Sequence, residues 1–272
     1  MYLAHMEILT WTIIALITLV GIVAGILLSI YFLQDKLIFS PIRLPMDYHF
    51  PFENAEEFTF KVADRADLNC LLFKTEGESK GLIFYIHGNA DNLRYWGDFA
   101  KFFTDLQYDV FMYDFRSFGK STGRIKNERN LQRDNKILYK RMVKIYGEEN
   151  IIVYGFSIGT GLAARLANRN KPKMLILEAP YDHFISLIKY HKAYLPASWI
   201  TKYHFRINRY LAEIDVPTHI FHGTEDRKVP YYLGERLRGI HPLVEFHTVL
   251  DATHSDMQSM EYYKRKMKEL LA

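Results

Sequence analysis

Ser157 stands between two glycines in Gly155-Phe156-Ser157-Ile158-Gly159, with the apolar run 151–154 leading in and a helical stretch at 158–168 leading out. A serine on so sharp a strand–turn–helix junction presents its hydroxyl at the tip of the turn, beside a helix N-terminus that favours developing negative charge. The turn is strained and tolerates no bulk on either side, which accounts for Gly155 and Gly159. A hydroxyl is a weak nucleophile alone; it needs a base, and the base needs an acid to orient it. Two later segments supply them. Asp226 lies in His222-Gly-Thr-Glu-Asp226 after the apolar run 218–221, with Glu225 as the reserve acid. His254 lies in Leu250-Asp-Ala-Thr-His254 after the run 244–249. Together these residue types offer acyl transfer through a covalent acyl-serine.

Such a reaction also needs donors for the oxyanion, each worth on the order of 3 kcal/mol. The Ile158 backbone N–H is expected to be one. The other is expected from Phe84-Tyr-Ile-His87-Gly88-Asn89-Ala90, where Gly88 permits a tight turn that aims the Asn89 amide inward. His87 precedes the serine and is expected to shape this loop, not to act as the base. No metal is called for: His219 and His222 are three apart on a strand, which points them to opposite faces. No glycine-rich phosphate loop is present, and no cofactor is expected.

The elements that must position these residues follow a clear rhythm. Strand-like runs at 58–62, 68–74, 82–87, 110–113, 151–154, 174–177, 218–221 and 244–249 alternate with helical stretches at 93–106, 128–146, 158–168, 233–240 and 257–271. From residue 82 most runs are continuously apolar, as strands buried on both faces are. The last, with Glu245 and His247, alternates and suits an edge. The fold class is therefore α/β: one doubly wound, mostly parallel sheet of about eight strands, with an antiparallel edge from the first two runs. Residues 181–215 break the rhythm with aromatics, histidines and Pro196, and read as a pair of helices forming a lid over the carboxyl end of the sheet.

Residues 8–33 carry no charge, and a helix of that length reaches about 39 Å, more than the ~30 Å of a bilayer's hydrocarbon. The leader before it has no Lys or Arg, and no small-residue cleavage site follows, so an uncleaved single-pass anchor is expected over a signal peptide. Lys36 and Arg43 after the helix lean towards a cytoplasmic catalytic domain. The expected organisation is anchor 1–34, proline-bearing linker 35–56, and catalytic domain 57–272 with its lid at 181–215. Gly21 and Gly25 match a helix-pairing motif, but oligomeric state is left open. A net charge of +4, with Lys and Arg scattered among acids, gives no nucleic-acid footprint. The single cysteine, Cys70, excludes an internal disulfide.

The segments Phe84–Ala90, Tyr113-Asp-Phe-Arg-Ser-Phe-Gly-Lys-Ser-Thr-Gly123, Tyr154–Gly159 and His222–Asp226 together resemble the motif series of the α/β-hydrolase superfamily. Within it the chain is most similar to the serine-aminopeptidase-like branch, with its monoacylglycerol lipase-like and depalmitoylase-like members, over about residues 58–271. The resemblance implies Ser157, Asp226 and His254 as a triad and the Asn89 and Ile158 amides as the oxyanion hole. It departs at Ser117 and Phe118, which replace the usual Arg-Gly-Tyr-Gly wording in a structural loop. The function expected is a membrane-anchored serine hydrolase of ester or thioester bonds in acyl or lipid-like substrates, small molecules or acylated proteins. The alternatives are a peptidase of the serine-aminopeptidase type and a non-catalytic, membrane-tethered binding module.

Overall fold

The structure, a computed structural model, describes residues 2–272. It opens with helix α1 (Tyr2–Ile38), whose 37 residues extend about 55 Å. Apolar side chains are exposed around most of its length, and it is long and apolar enough to cross a membrane.

Its last turn runs directly into the domain. Phe39 is buried against Phe118 and Tyr203, and strand β1 (Ser40–Pro41) pairs in parallel with β5 (Ala90–Asp91). The segment expected as an extended linker from residue 35 thus begins as helix and continues as a strand built into the domain.

Eight strands form the central sheet. In chain order these are β2 (Ala55–Lys61), β3 (Asp67–Phe73), β4 (Leu82–Ile86), β6 (Asp109–Tyr113), β7 (Ile151–Phe156), β8 (Met174–Glu178), β9 (Thr218–Gly223) and β10 (Val244–Val249). Their spatial order is β10-β9-β8-β7-β4-β6-β3-β2. Only the β2–β3 and β3–β6 pairings are antiparallel. The sheet is thus mostly parallel, with β10 at the edge its alternating pattern suggested.

Helices cover both faces. On one side lie α4 (Glu128–Tyr146) and α5 (Gly159–Arg169); on the other lie α2 (Leu93–Trp96), α3 (Ala100–Thr104) and α10 (Glu261–Leu270). Residues 93–106 do not make one helix. A 3-10 turn at Gly97–Phe99 divides the segment, and the Phe52 ring packs where a side chain at Gly97 would stand. The helix expected at 233–240 is only α9 (Tyr231–Glu235), opened by Pro230. The lid segment holds three short helices instead of two: α6 (Phe184–His191), α7 (Ala197–Ile200) and α8 (Ile207–Leu211). Its return is clamped at Glu128, whose carboxylate accepts the His204 and Phe205 amides at 2.8 and 3.1 Å.

Two buried ionisable side chains, Arg116 and Glu178, tie strand ends to their neighbours. Arg116, after β6, is 1% exposed and grips Asp134 of α4 through Nε at 2.5 Å and an Nη at 2.8 Å. Beside it Ser117 takes φ 73°, a left-handed conformation that glycine adopts without penalty, and its hydroxyl donates to the Gly123 carbonyl. This is the physical content of the departure at residues 117–118: the backbone turn is kept and a serine bears its strain. At the end of β8, the buried Glu178 carboxylate accepts from Tyr154, Gln258 and Tyr263. Burial nonetheless pushes its pKa up to about 7.

Replacing Arg116 by Met strands the Asp134 carboxylate, and the variant is expected to lose on the order of 3–5 kcal/mol in denaturant unfolding. Adding Asp134→Leu should recover most of that loss; a double variant no better than the single one contradicts the pairing account. Glu178 makes a prediction of opposite sign. Its pKa is raised on folding, so the native state favours the protonated form, and stability falls as pH rises from the unfolded value near 4.5 through about 7. Glu178→Gln should therefore gain on wild type by up to ~3 kcal/mol between pH 5 and 8. Melting temperatures across that range measure it, and a gap that stays constant with pH rules the account out.

Candidate active site

The site is built where β7 meets α5. Ser157 has φ 53°, in the left-handed region where a β-carbon is strained. Its amide donates to the Glu178 carbonyl at 2.9 Å, which pins the turn to the neighbouring strand. The flanking glycines are required by contact. A β-carbon at Gly155 would stand 2.7 Å from the Ala163 methyl and 2.8 Å from the Gly159 carbonyl oxygen. One at Gly159 would run into the Ile86 carbonyl and lie 2.7 Å from that of His87.

Asp226 and His254 come from the carboxyl ends of β9 and β10, adjacent parallel strands. His254 Nδ1 lies 2.7 Å from Asp226 Oδ2. The other carboxylate oxygen, Oδ1, accepts the Lys228 and Val229 amides at 2.9 and 2.8 Å. Burial pushes the Asp226 pKa up, but hydrogen bonds from His222 and His254 and the charge on His254 outweigh it and hold the carboxyl well below its usual range. Glu225, the reserve acid, is exposed, and it is Asp226 that contacts His254.

His222 is the residue that spacing alone did not assign. Its Nε2 sits 3.5 Å from Asp226 Oδ2 and 2.8 Å from the Val229 carbonyl oxygen. Gly234 leaves room for its ring: a β-carbon there would collide with His222 Nδ1. The signal was present in the sequence, since His222 opens the acid's own loop, but its partner is visible only once that loop has folded back.

The expected oxyanion loop follows β4. Asn89 and Ile158 both line the cavity that holds Ser157 and His254. Gly88 has an ordinary negative φ, so it is needed for space: a β-carbon would press on the Trp96 and Phe156 rings at 3.2 Å. His87 is buried, stacks on Trp96 and packs against Phe115, and its Nδ1 lies 2.7 Å from the Gly88 carbonyl oxygen. Burial lowers its pKa to about 4, which keeps it a neutral loop-shaping group.

Two cavities flank the Ser157–His254 locus. The larger, about 710 Å³, is walled by Phe184, Leu187 and Ile188 of the lid and by Ile30 and Leu37 of α1. The smaller, about 310 Å³, also reaches His254 and is more polar, with Asp91, Glu178, Lys228 and Gln258 in its wall.

Elsewhere His219, Glu245 and His247 bring potential metal-ligand atoms within 4.8 Å of one another. That group sits at the beginning of β9 and β10, away from the carboxyl ends where Ser157 lies. Lys266 Nζ also approaches Glu245 to 3.8 Å, placing a fixed positive charge beside it. His222 faces Asp226 instead, so the two histidines of β9 serve different neighbours.

Residues 77–202 match the family described as serine aminopeptidase. Over 186 residues the chain is 30% identical to the zebrafish (Danio rerio) lysophosphatidylserine lipase ABHD12, covering 60% of this chain and 48% of that one. It is 28% identical over 230 residues to the Xenopus tropicalis alpha/beta hydrolase domain-containing protein 17C, covering 80% and 70% respectively. The chain thus spans about half the length of the first relative and somewhat more than two thirds of the second. An esterase of Pyrococcus furiosus has the same fold, with a TM-score of 0.67 at 21% identity over 85% of this chain and 98% of that one. So does an alpha-beta serine hydrolase homologue from Coxiella burnetii, with a TM-score of 0.58 at 20% identity over 82% and 98%. The fold, the motif series and these relatives agree: the chain has the α/β-hydrolase fold and is similar, over residues 77–202, to the serine aminopeptidase family.

Proposed function

We propose that this protein is a membrane-anchored hydrolase of acyl esters or thioesters, with Ser157 as nucleophile, His254 as base and Asp226 as its orienting acid. The observation that carries the reading is the 2.7 Å His254–Asp226 contact in one site with a serine held at φ 53°. His254 Nε2 takes the Ser157 proton as Oγ attacks the carbonyl carbon, and the oxyanion is received by the Asn89 and Ile158 amides. His254 then returns the proton to the departing oxygen or sulfur, leaving an acyl-Ser157. Water, deprotonated by His254, repeats the sequence and releases the acid. Asp226 fixes the imidazole tautomer and stabilises the imidazolium, for which its depressed pKa suits it.

The two cavities divide the substrate. The apolar chamber has the volume and lining for a hydrocarbon chain, and the polar one suits a leaving alcohol or thiol with hydrogen-bonding groups. An apolar acyl chamber favours this reading over cleavage of a peptide. Helix α1 holds the domain at the bilayer, and the relative named as a lysophosphatidylserine lipase is a precedent for lipid substrates.

The full chain in detergent is expected to react with a fluorophosphonate probe and to hydrolyse p-nitrophenyl esters, preferring medium or long acyl groups. Ser157→Ala should abolish labelling, and Asp226→Asn should lower kcat about ten-thousandfold with the fold intact. Labelling that persists in Ser157→Ala, or a folded wild type that neither labels nor turns over any ester, overturns the assignment.

A further inference from the structure

We infer that the C-terminal turns of α1 are one wall of the acyl chamber, and that a lipid's acyl chain enters directly from the leaflet between α1 and the lid. This rests on the hydrolase reading above and adds to it the route and the element that reads chain length. About 20 residues cross a hydrocarbon core. Counted from Ile8, they end near Leu28, and the next turns carry Ile30, Gln34 and Leu37 into the wall of the chamber that holds Ser157.

Those turns are fastened to the lid. Gln34 is buried; its amide nitrogen donates to the Ile200 carbonyl at 3.0 Å and its amide oxygen accepts the Lys202 N–H at 2.6 Å. The Lys202 ammonium also sits 4.4 Å from the centre of the Tyr31 ring. A second fastening reaches the catalytic loop. Asn89 Nδ2 donates to the Ile38 carbonyl at 2.7 Å, and the Ser40 amide donates to the Asn89 carbonyl at 2.8 Å. The helix that meets the membrane is therefore hydrogen-bonded to the residue whose amide is assigned to the oxyanion.

The outer surface at this level suits an interface. Trp199 is 88% exposed and Tyr194 is 78% exposed, both on the lid next to α1, with Lys192 and Lys202 close in sequence. Aromatic rings with flanking cations are what a membrane–water boundary holds. Phe184, Leu187 and Ile188 of the lid line the chamber, Tyr194 stands in its wall with its ring largely exposed, and Trp199 lies outside it, so the chamber opens at bilayer depth and a chain can pass into it without crossing water.

The test uses the full chain in phosphatidylcholine nanodiscs with p-nitrophenyl esters from two to sixteen carbons, and a short fluorophosphonate to report a folded, reactive Ser157. Ile30→Trp and Leu37→Trp should still label, but their long-to-short turnover ratio should fall about tenfold. Ile30→Ala should shift the optimum towards longer chains, which covers the case in which the larger side chain disturbs folding. Ile22→Trp, higher on the lipid-facing helix, should leave the ratio where it is. A long-chain ester in the enzyme's own nanodisc should be hydrolysed at least about tenfold faster than the same ester in separate vesicles. An unchanged ratio in all three wall variants, or an equal effect from Ile22→Trp, overturns the wall; equal rates from the two membranes overturn leaflet entry. A wild type that does not label at all fails the hydrolase reading instead, so the two failures are told apart.

Discussion

The strained turn at Ser157 is the constraint around which the domain is arranged. A left-handed serine between strand and helix is stable only if its surroundings over-determine it. They do so on three sides: β8 accepts its amide, α5 packs so tightly on Gly155 that no side chain fits there, and the end of β4 leaves no room for one at Gly159. The sheet order follows from the same requirement. Strand β7 must have neighbours on both sides at full register, and it lies between β4 and β8 in the sheet. The strain is concentrated where the hydroxyl must be exposed, and the energy to hold it comes from the most buried part of the fold.

Around that fixed point the other groups arrive from loops, and each loop is stiffened separately. The acid is held by two backbone amides and two imidazoles, so burial does not neutralise it. Glu178, a few residues from the turn on the neighbouring strand, shows the opposite outcome. It is also buried and accepts several hydrogen bonds, but no charged donor or backbone amide offsets its desolvation, and its pKa rises. Two carboxyl groups near one site are thereby pushed apart in acidity. The one beside His254 is held towards its ionised form, which suits a group that orients the imidazole, while the other is held towards its protonated form and ties β7 and β8 to α10 and the turn before it.

Much of this architecture is legible in the sequence because it is local. Continuous apolar runs mark strands buried on both faces, and Glu245 and His247 mark β10 as an edge. Glycines bracketing a serine mark the turn, and strand ends mark where Asp226 and His254 lie. What could not be read was long-range packing. Gly97 looks like a tolerable residue inside a helix until the Phe52 ring, from a segment 45 positions earlier, is found in the space its side chain would need. The second contact of Asp226 with His222 depends on the loop folding back past Gly234. The end of α1 was hidden for the same reason. Prolines after residue 40 suggest an extended linker, and nothing local says that Gln34 will find the lid or that Ser40 will pair beside the oxyanion loop.

That last contact changes what the N-terminal helix is for. A tether alone needs only length and hydrophobicity, and the chain between it and the domain can be loose. Here no loose chain exists: α1 passes into Phe39, buried in the core, and then into a strand paired beside Asn89. A helix that crosses a bilayer has its tilt and depth set by the lipid and by its interfacial residues. On the proposed anchoring, rigid continuity passes that orientation to the domain, and the lid, the chamber mouth and the proposed oxyanion loop are then set at one depth by the same element. A lipid ester already lies with its carbonyl near the interface and its chain in the hydrocarbon. An active site fixed at that depth meets the carbonyl without lifting the chain into water, which would cost about 0.8 kcal/mol for every methylene exposed. The contacts of Gln34, Ile38 and Ser40 fasten the end of α1 to the domain, so on the proposed anchoring the domain does not tumble on a flexible stalk.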